Sequence, residues 1–348
     1  MLKLAPSLQK GFTLIELIVA LTLGLILVAA AIQLFTGGIM SSQLQRANAE
    51  IQDSGVFGLD FMLRDIRLSN VGNINNLELN DQTAYGGIVL TASTATNSSN
   101  VNFIPSIAAN TYLPDALLSR GMGDTVSTTD NHWKGLSNVK DDTGVAQNSD
   151  QLTIQFIAPS DMFNCEGQQV FAGDLVVQRY FLRVDTNGTG ATDLALACDA
   201  NTPATTAATA SATPSTISGL GTAGQILIPR VDHFHVLLKA RDHAGNLVLY
   251  TIPQYREAAI QARKVVTADD ATDEDPEKAA SNPPRILAVQ VSVLIRSTNN
   301  ANNPVVDPVN ASYVMLDKTI KASDTTNRFL RRVYNSTISL RNGMGEDL

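Results

Sequence analysis

Gly11-Phe12-Thr13-Leu14-Ile15-Glu16 stands between a short cationic leader and a long apolar run, and its reading decides the fold. From Phe12 to Phe35 the chain has no proline, lysine or arginine, and Glu16 is its single acidic residue. About 24 residues of this kind, wound as a helix, cross the roughly 30 Å hydrocarbon layer of a bilayer, where each backbone polar group must be satisfied within the segment. Ahead of the run, Lys3 and Lys10 are the only charged side chains. The bias of lysine and arginine toward the cytoplasm sends everything C-terminal outward. An ordinary secretory signal would be cut behind its apolar stretch, at a small-x-small site that Ala29-Ala30-Ala31 imitates. A glycine ahead of the run and a carboxylate inside it do not fit that pattern.

Glu16 lies four residues into the span, about 6 Å along a helix rising roughly 1.5 Å per residue. It therefore reaches the headgroups of a membrane. Deeper in the bilayer a carboxylate costs about 3 kcal/mol on insertion scales, and ionisable groups there are usually paired. A cut before Phe12 creates a partner, because the new α-amine is largely cationic at neutral pH and stays so when methylated. Packed helix against helix, the amine of one chain compensates Glu16 of its neighbour. A buried ion pair of this sort sets register more reliably than it adds stability.

These residues resemble the class III signal of type IV prepilins, with Gly11 at the cut, Phe12 as first mature residue, Glu16 as the fifth, and then an apolar helix. The resemblance implies an α+β, type IV pilin-like fold. Its long N-terminal helix, membrane-spanning in the first half, would pack on a mainly antiparallel β-sheet head with long irregular loops. It also implies a membrane prepilin peptidase that cleaves after Gly11 and methylates Phe12, followed by extraction of the subunit into a helical fibre. On that plan residues 1–11 are a cytoplasmic leader, 12–39 the membrane and fibre-core helix, 40–70 its amphipathic continuation, and 71–348 a periplasmic or surface head. The chain departs from the family in lacking the helix-kinking proline that major pilins usually carry near the position of Gln33. Gly37-Gly38 is the substitute weak point, since each glycine costs a helix about 1 kcal/mol relative to alanine.

The 348 residues carry a net charge of −8, which becomes −10 when the two leader lysines go. Such an acidic exported chain does not attract nucleic acid through its overall field. Hydrophobic residues make up 44% of the chain, ample for one globular head. Cys165 and Cys198 are the only cysteines. In an oxidising periplasm they read as a disulfide, which by closing a loop of about 34 residues stabilises the head by roughly 3–4 kcal/mol. The alternative is two buried thiols too far apart to join.

Beyond the span, Ile39, Met40, Leu44, Ile51, Val56, Leu59, Met62, Leu63 and Ile66 recur mostly at three or four residues. This predicts one amphipathic continuation ending near Asn70-Val71-Gly72, in a helix of about 55 residues and roughly 80 Å. The alternative is an independent helix over Ile51 to Ile66 after a break. Strand patterns follow at Leu152 to Ile157, Leu175 to Val184, Leu194 to Cys198, Val231 to Leu238, Leu247 to Ile252, Ile286 to Ile295 and Phe329 to Leu340. Asp185-Thr186-Asn187-Gly188-Thr189-Gly190 and Asp242-His243-Ala244-Gly245-Asn246 read as hairpin turns. One sheet with the helix on one face is expected. Residues 91–100, Asn201 to Gly219 and Thr267 to Pro284 read as mobile surface loops.

Little in the composition points to catalysis. No nucleophile elbow, zinc-protease helix or phosphate loop is present. Asp185, Asn187, Thr189 and Asp193 imitate part of a calcium loop, but the glycine spacing is wrong and no glutamate closes it. A plain hairpin turn is the better reading. His233 and His235 share one face of a strand with His243 in the next turn, and a solvated sheet face is preferred there to a metal site.

Large size and cysteines outside a C-terminal pair suit a low-copy subunit. Phe61-Met62-Leu63-Arg64-Asp65-Ile66-Arg67, Asn164-Cys165-Glu166-Gly167 and the run from Leu330-Arg331-Arg332-Val333-Tyr334 to Leu340-Arg341-Asn342 resemble minor pilins of the PilW type. The resemblance implies no enzyme activity, no cofactor and no metal. Its partners would be the prepilin peptidase, other minor pilins, the major pilin and a large tip adhesin. The subunit would wait in the bacterial inner membrane with its head in the periplasm, prime pilus assembly, and then ride at the pilus tip, supporting twitching motility and adhesion, with DNA uptake as an extension. One alternative is a large pseudopilin of a type II secretion system. Another is a head that itself captures a surface, a receptor or DNA, for which Arg328, Arg331, Arg332 and Arg341 are the candidate basic patch.

Overall fold

The computed structural model describes residues 11–73, 78–187, 193–264, 282–301 and 303–340. One helix, α1 (Leu14–Leu68), runs unbroken through Gly37-Gly38. Its 55 residues make it about 80 Å long. Every residue before Gln43 on it is exposed, and burial begins at Ala47. From there Ala47, Ile51, Gly55, Leu59, Met62, Leu63 and Ile66 form one stripe facing the head. Met62 and Ile66 are fully buried and contribute roughly 2 kcal/mol each. The helix stops at Ser69, whose amide returns to Ile66 O, and Asn70 takes the left-handed conformation common at helix ends. Asn70 N then donates to Gln155 O, which ties the helix end to the head.

The remaining elements in chain order are β1 (Val139–Asp141), β2 (Leu152–Ile157), β3 (Met162–Phe163), β4 (Gln169–Val170), β5 (Leu175–Val184), β6 (Leu194–Ala200), β7 (Gln225–Pro229), β8 (Val231–Arg241), β9 (Leu247–Thr251), α2 (Ile252–Lys264), β10 (Arg285–Arg296), β11 (Ser312–Met315), β12 (Lys318–Ala322) and β13 (Arg331–Ser339). All strand pairings between them are antiparallel. The head is not the single sheet expected. It holds two four-stranded sheets, ordered β2-β5-β6-β7 and β13-β10-β8-β9. Pro229 closes β7, Arg230 takes a positive φ of 55°, and Val231 opens β8 in the other sheet. Both sheets feed one core, in which Tyr180, Leu196 and Ile228 meet Phe234, Val236 and Val291, and Ile51, Met62 and Ile66 of α1 join them. Helix α1 packs on β7, β10 and β13, so it spans both sheets.

Helix α2 follows β9 where no helix was expected. Thr251 and Gln254 cap each other's backbone around Pro253, and Tyr255 and Ala259 are buried. The segment Asn201 to Gly219, expected to be loose, is docked. Asp174 accepts from the amides of Ala204 and Ser211, residues 106 and 216 form a bridge, and Ile217 enters a second core with Phe103, Leu117 and Val177. Distant partners supply what its own polar side chains cannot. Residues 94–100 are exposed. Most of Thr267 to Pro284, the 188–190 turn, Lys3 and Lys10, and Arg341-Asn342 lie outside the described residues.

Candidate functional site

At the front of α1, Thr13 is an N-cap with φ −80° and ψ 151°. Its hydroxyl accepts from Glu16 N at 3.3 Å, and the Glu16 carboxylate accepts from Thr13 N and from Thr13 Oγ1, both at 2.9 Å. This capping box satisfies two otherwise orphaned donors. Glu16 thus has a partner within its own chain, in addition to any amine on a neighbouring helix. The Thr-x-x-Glu spacing was the available sign. Gly11 and Phe12 precede the cap in non-helical backbone, and Phe12 is 90% exposed. A Cβ added at Gly11 meets nothing within 4 Å. Among the described residues no close contact demands glycine there.

The junction of α1 with the head is the second part of the site. A Cβ on Gly55 would lie 2.5 Å from Tyr334 Cε2, and one on Gly58 would lie 2.3 Å from Ile228 Cγ1. These two glycines let β13 and β7 approach the helix axis. Tyr334 Oη also donates to Ile51 O at 3.2 Å. Nearer the helix end, buried Asp65 accepts from Tyr180 Oη at 2.9 Å. With its amide turned so that Oε1 accepts from Cys165 N at 3.0 Å, Gln178 Nε2 donates to Asp65 Oδ2 at 2.9 Å. The helix end, β5 and the cysteine segment therefore share one polar network. Cys165 and Cys198 are joined, with Cα atoms 6.1 Å apart, and both are buried. The Asp65 motif, the cysteine segment and the Tyr334 strand, separate in sequence, all converge on this junction. Long-range pairs of this kind leave no local pattern to find.

Burial raises the Asp65 carboxyl to about 6, overriding the Tyr180 hydrogen bond and the charge of Arg64. The folded chain thus binds this proton more tightly than the unfolded chain, and the cost of the charge grows as pH rises from about 4 through about 6. Asp65→Asn keeps acceptors for Tyr180 without the charge. Thermal or urea unfolding of the full chain in detergent should show a gain of about 1–2 kcal/mol at neutral pH that shrinks toward about pH 4. A gain independent of pH, or a loss, would contradict the buried-charge assignment.

The remaining candidates dissolve into structure. His233 and His235 are buried, not solvated, each 1% exposed. His235 Nδ1 and Nε2 lie 2.7 Å from Asp150 Oδ2 and Asp317 Oδ1. Burial opposes its charge, but hydrogen bonds to both carboxylates and the Asp150 charge prevail and hold it at about 9. His233 Nδ1 is 2.9 Å from Ser137 Oγ, and burial pushes its pKa well down. His243 is exposed in its turn, and no metal-holding cluster exists among the described residues. The Asp185 carboxylate accepts from Asn187 N within the hairpin turn, and Asp193 pairs with Arg296. Thr189 lies outside the described residues. Of the basic patch, Arg331 Nε is bound to buried Asp232 at 2.7 Å and Arg328 Nη1 donates to Val306 O at 3.0 Å. Arg332 sits 5.7 Å from the Tyr334 ring centroid.

Comparison with known proteins gives two family matches. Residues 6–32 match the prokaryotic N-terminal methylation motif, and residues 179–342 match the family of the type IV pilus-assembly protein W. The first covers the cap and the apolar run, and the second covers most of both four-stranded sheets. A type IV-like pilin from Thermus thermophilus is similar over 56% of this chain and 79% of its own, at 12% identity. The TM-score of that superposition is 0.28. No curated protein matches the chain.

Proposed function

We propose that this chain, whose residues 6–32 and 179–342 match the N-terminal methylation motif and the family of the type IV pilus-assembly protein W, is a type IV minor pilin of the PilW type that primes pilus assembly in the inner membrane and then sits at the pilus tip. The observation that carries the proposal is the anchor end. Gly11 and Phe12 stand exposed ahead of a cap made wholly of residues behind the proposed cut. A prepilin peptidase thus removes residues 1–11 without disturbing the helix, and Phe12 becomes the methylated N-terminus. In α1 the large apolar side chains from Leu14 to Met40 are exposed, so the helix needs lipid or other helices around it. Between helices, close packing and polar contacts replace the hydrophobic drive that lipid does not supply. The Phe12 amine, lying beside Glu16 of a neighbour, gives that bundle a register.

On this reading the head stays in the periplasm until assembly, and its partners are other minor pilins, the major pilin and a large tip adhesin. Twitching motility and adhesion follow from the fibre. The role is structural rather than enzymatic. A large pseudopilin of a type II secretion system shares the same anchor and is the second reading. Direct capture of DNA by the head loses its best support, because Arg328 and Arg331 are engaged internally. The test is the composition of fibres sheared from cells with retraction blocked. The chain is expected there at a small fraction of the major pilin, whereas confinement of the processed chain to the envelope would favour the pseudopilin.

A further inference from the structure

Strand β9 is the last strand of its sheet, and among the described residues nothing pairs with its outer edge. The β8-β9 hairpin closes through Asp242 N donating to Asn246 O. Because antiparallel pairs alternate, the 240/248 and 238/250 pairs exchange backbone hydrogen bonds, while the backbone groups of Leu247, Leu249 and Thr251 point away from β8. The outward amide of Thr251 is taken by Gln254 Oε1 at 3.0 Å, as that alternation requires. Leu247 and Leu249 therefore present two N–H and two C=O groups along an open edge. Their side chains are 55% and 47% exposed and share one face. Edges of this kind are ordinarily blunted by charge, proline or a covering segment.

We propose that this edge receives an extended strand of another protein by β-augmentation. Alternating outward donors and acceptors fit an extended backbone and not a helix. The adjoining chemistry sets the composition. Lys239 and Arg241 oppose Leu249 and Leu247 in register, so they stand one strand further in on the same face. Neither has an ion-pair partner among the described residues. The incoming strand accordingly carries apolar side chains at its centre, against the two leucines, and carboxylates at its ends, within reach of the two cations.

The probe is a labelled peptide of the order glutamate, threonine, valine, threonine, valine, threonine, glutamate, with a lysine-for-glutamate peptide as control. It is added to the full chain in detergent and followed by fluorescence anisotropy and amide hydrogen exchange. The glutamate peptide is expected to bind more tightly than the control and to protect the Leu247 and Leu249 amides. Leu249→Pro removes an outward N–H and a leucine side chain without touching the β8 ladder, and should weaken binding by about tenfold. The double variant Lys239→Glu and Arg241→Glu, which leaves the edge intact, should reverse the preference between the two peptides. Binding unchanged in Leu249→Pro, or no discrimination by peptide charge, overturns the proposal. So does protection of both amides before any peptide is added, which would mean that this chain's own residues or a second copy cover the edge.

Discussion

Replacing Gly58 by valine is expected to lift α1 off the head and cost about 3 kcal/mol, near the upper end for overpacking a core. Even one added Cβ would sit 2.3 Å from Ile228 Cγ1 and 3.2 Å from Leu227 O. Ile228 is fully buried in the core that the two sheets share. Helix propensity pulls the other way, since glycine within a helix costs roughly 1 kcal/mol relative to alanine, so the clash must dominate for the loss to appear. Ile228→Ala alone should also destabilise, by about 2–5 kcal/mol, through the cavity it leaves. Together the two changes fill and empty the same space. Chemical denaturation of the single and double variants should therefore give losses well short of additive. Strict additivity would mean that Gly58 is not the point of contact.

A loss of similar or greater size is expected from Asp199→Ala. The Arg179 and Asp199 side chains are fully buried, with Arg179 Nη2 2.8 Å from Asp199 Oδ2. The same carboxylate accepts from Gly221 N, Thr222 N and Thr222 Oγ1. It thereby holds the 221–222 segment, just ahead of β7, against the strand that carries Cys198. Removing it leaves a guanidinium buried without its counter-charge, which typically costs about 3–5 kcal/mol. Replacing both partners by apolar residues of closer volume, Arg179→Met with Asp199→Val, should recover part of that loss, because the desolvation of both charges disappears while the Gly221 and Thr222 donors lose their acceptor. If the single variant unfolds no more easily than the parent chain, the ion pair is not buried as described.

Strands β2, β5, β6, β8, β9, β10 and β13 were legible because alternation and β-branched residues mark them locally, and β2 and β5 have the expected bounds, whereas β3, β4, β7, β11 and β12 were not expected. The continuous helix was legible from the spacing of Ile51, Leu59, Met62 and Ile66. Helix α2 was readable in principle from Thr251-x-Pro253-Gln254, a capping signature that a strand reading of Leu247 to Ile252 concealed. The division into two sheets turns on a positive φ at Arg230, a residue type that carries no such signal. His233 and His235 looked solvated because the groups that cover them, Ser137, Ser149, Asp150 and Asp317, are more than 80 positions away. At the site, a linear motif displays Gly11, Phe12 and Glu16 at once. Gly55, Gly58, Asp65, Tyr180 and Tyr334 acquire meaning only when the chain folds back on its helix.

The most direct measurement is the N-terminal peptide of this chain, read by mass spectrometry from purified fibres. A peptide that begins at Phe12 and carries one added methyl group is the expected result, since it joins processing, anchoring and assembly in a single molecule. A chain recovered with residues 1–11 still attached, or cut behind Ala31 as a secretory protein would be, would contradict it.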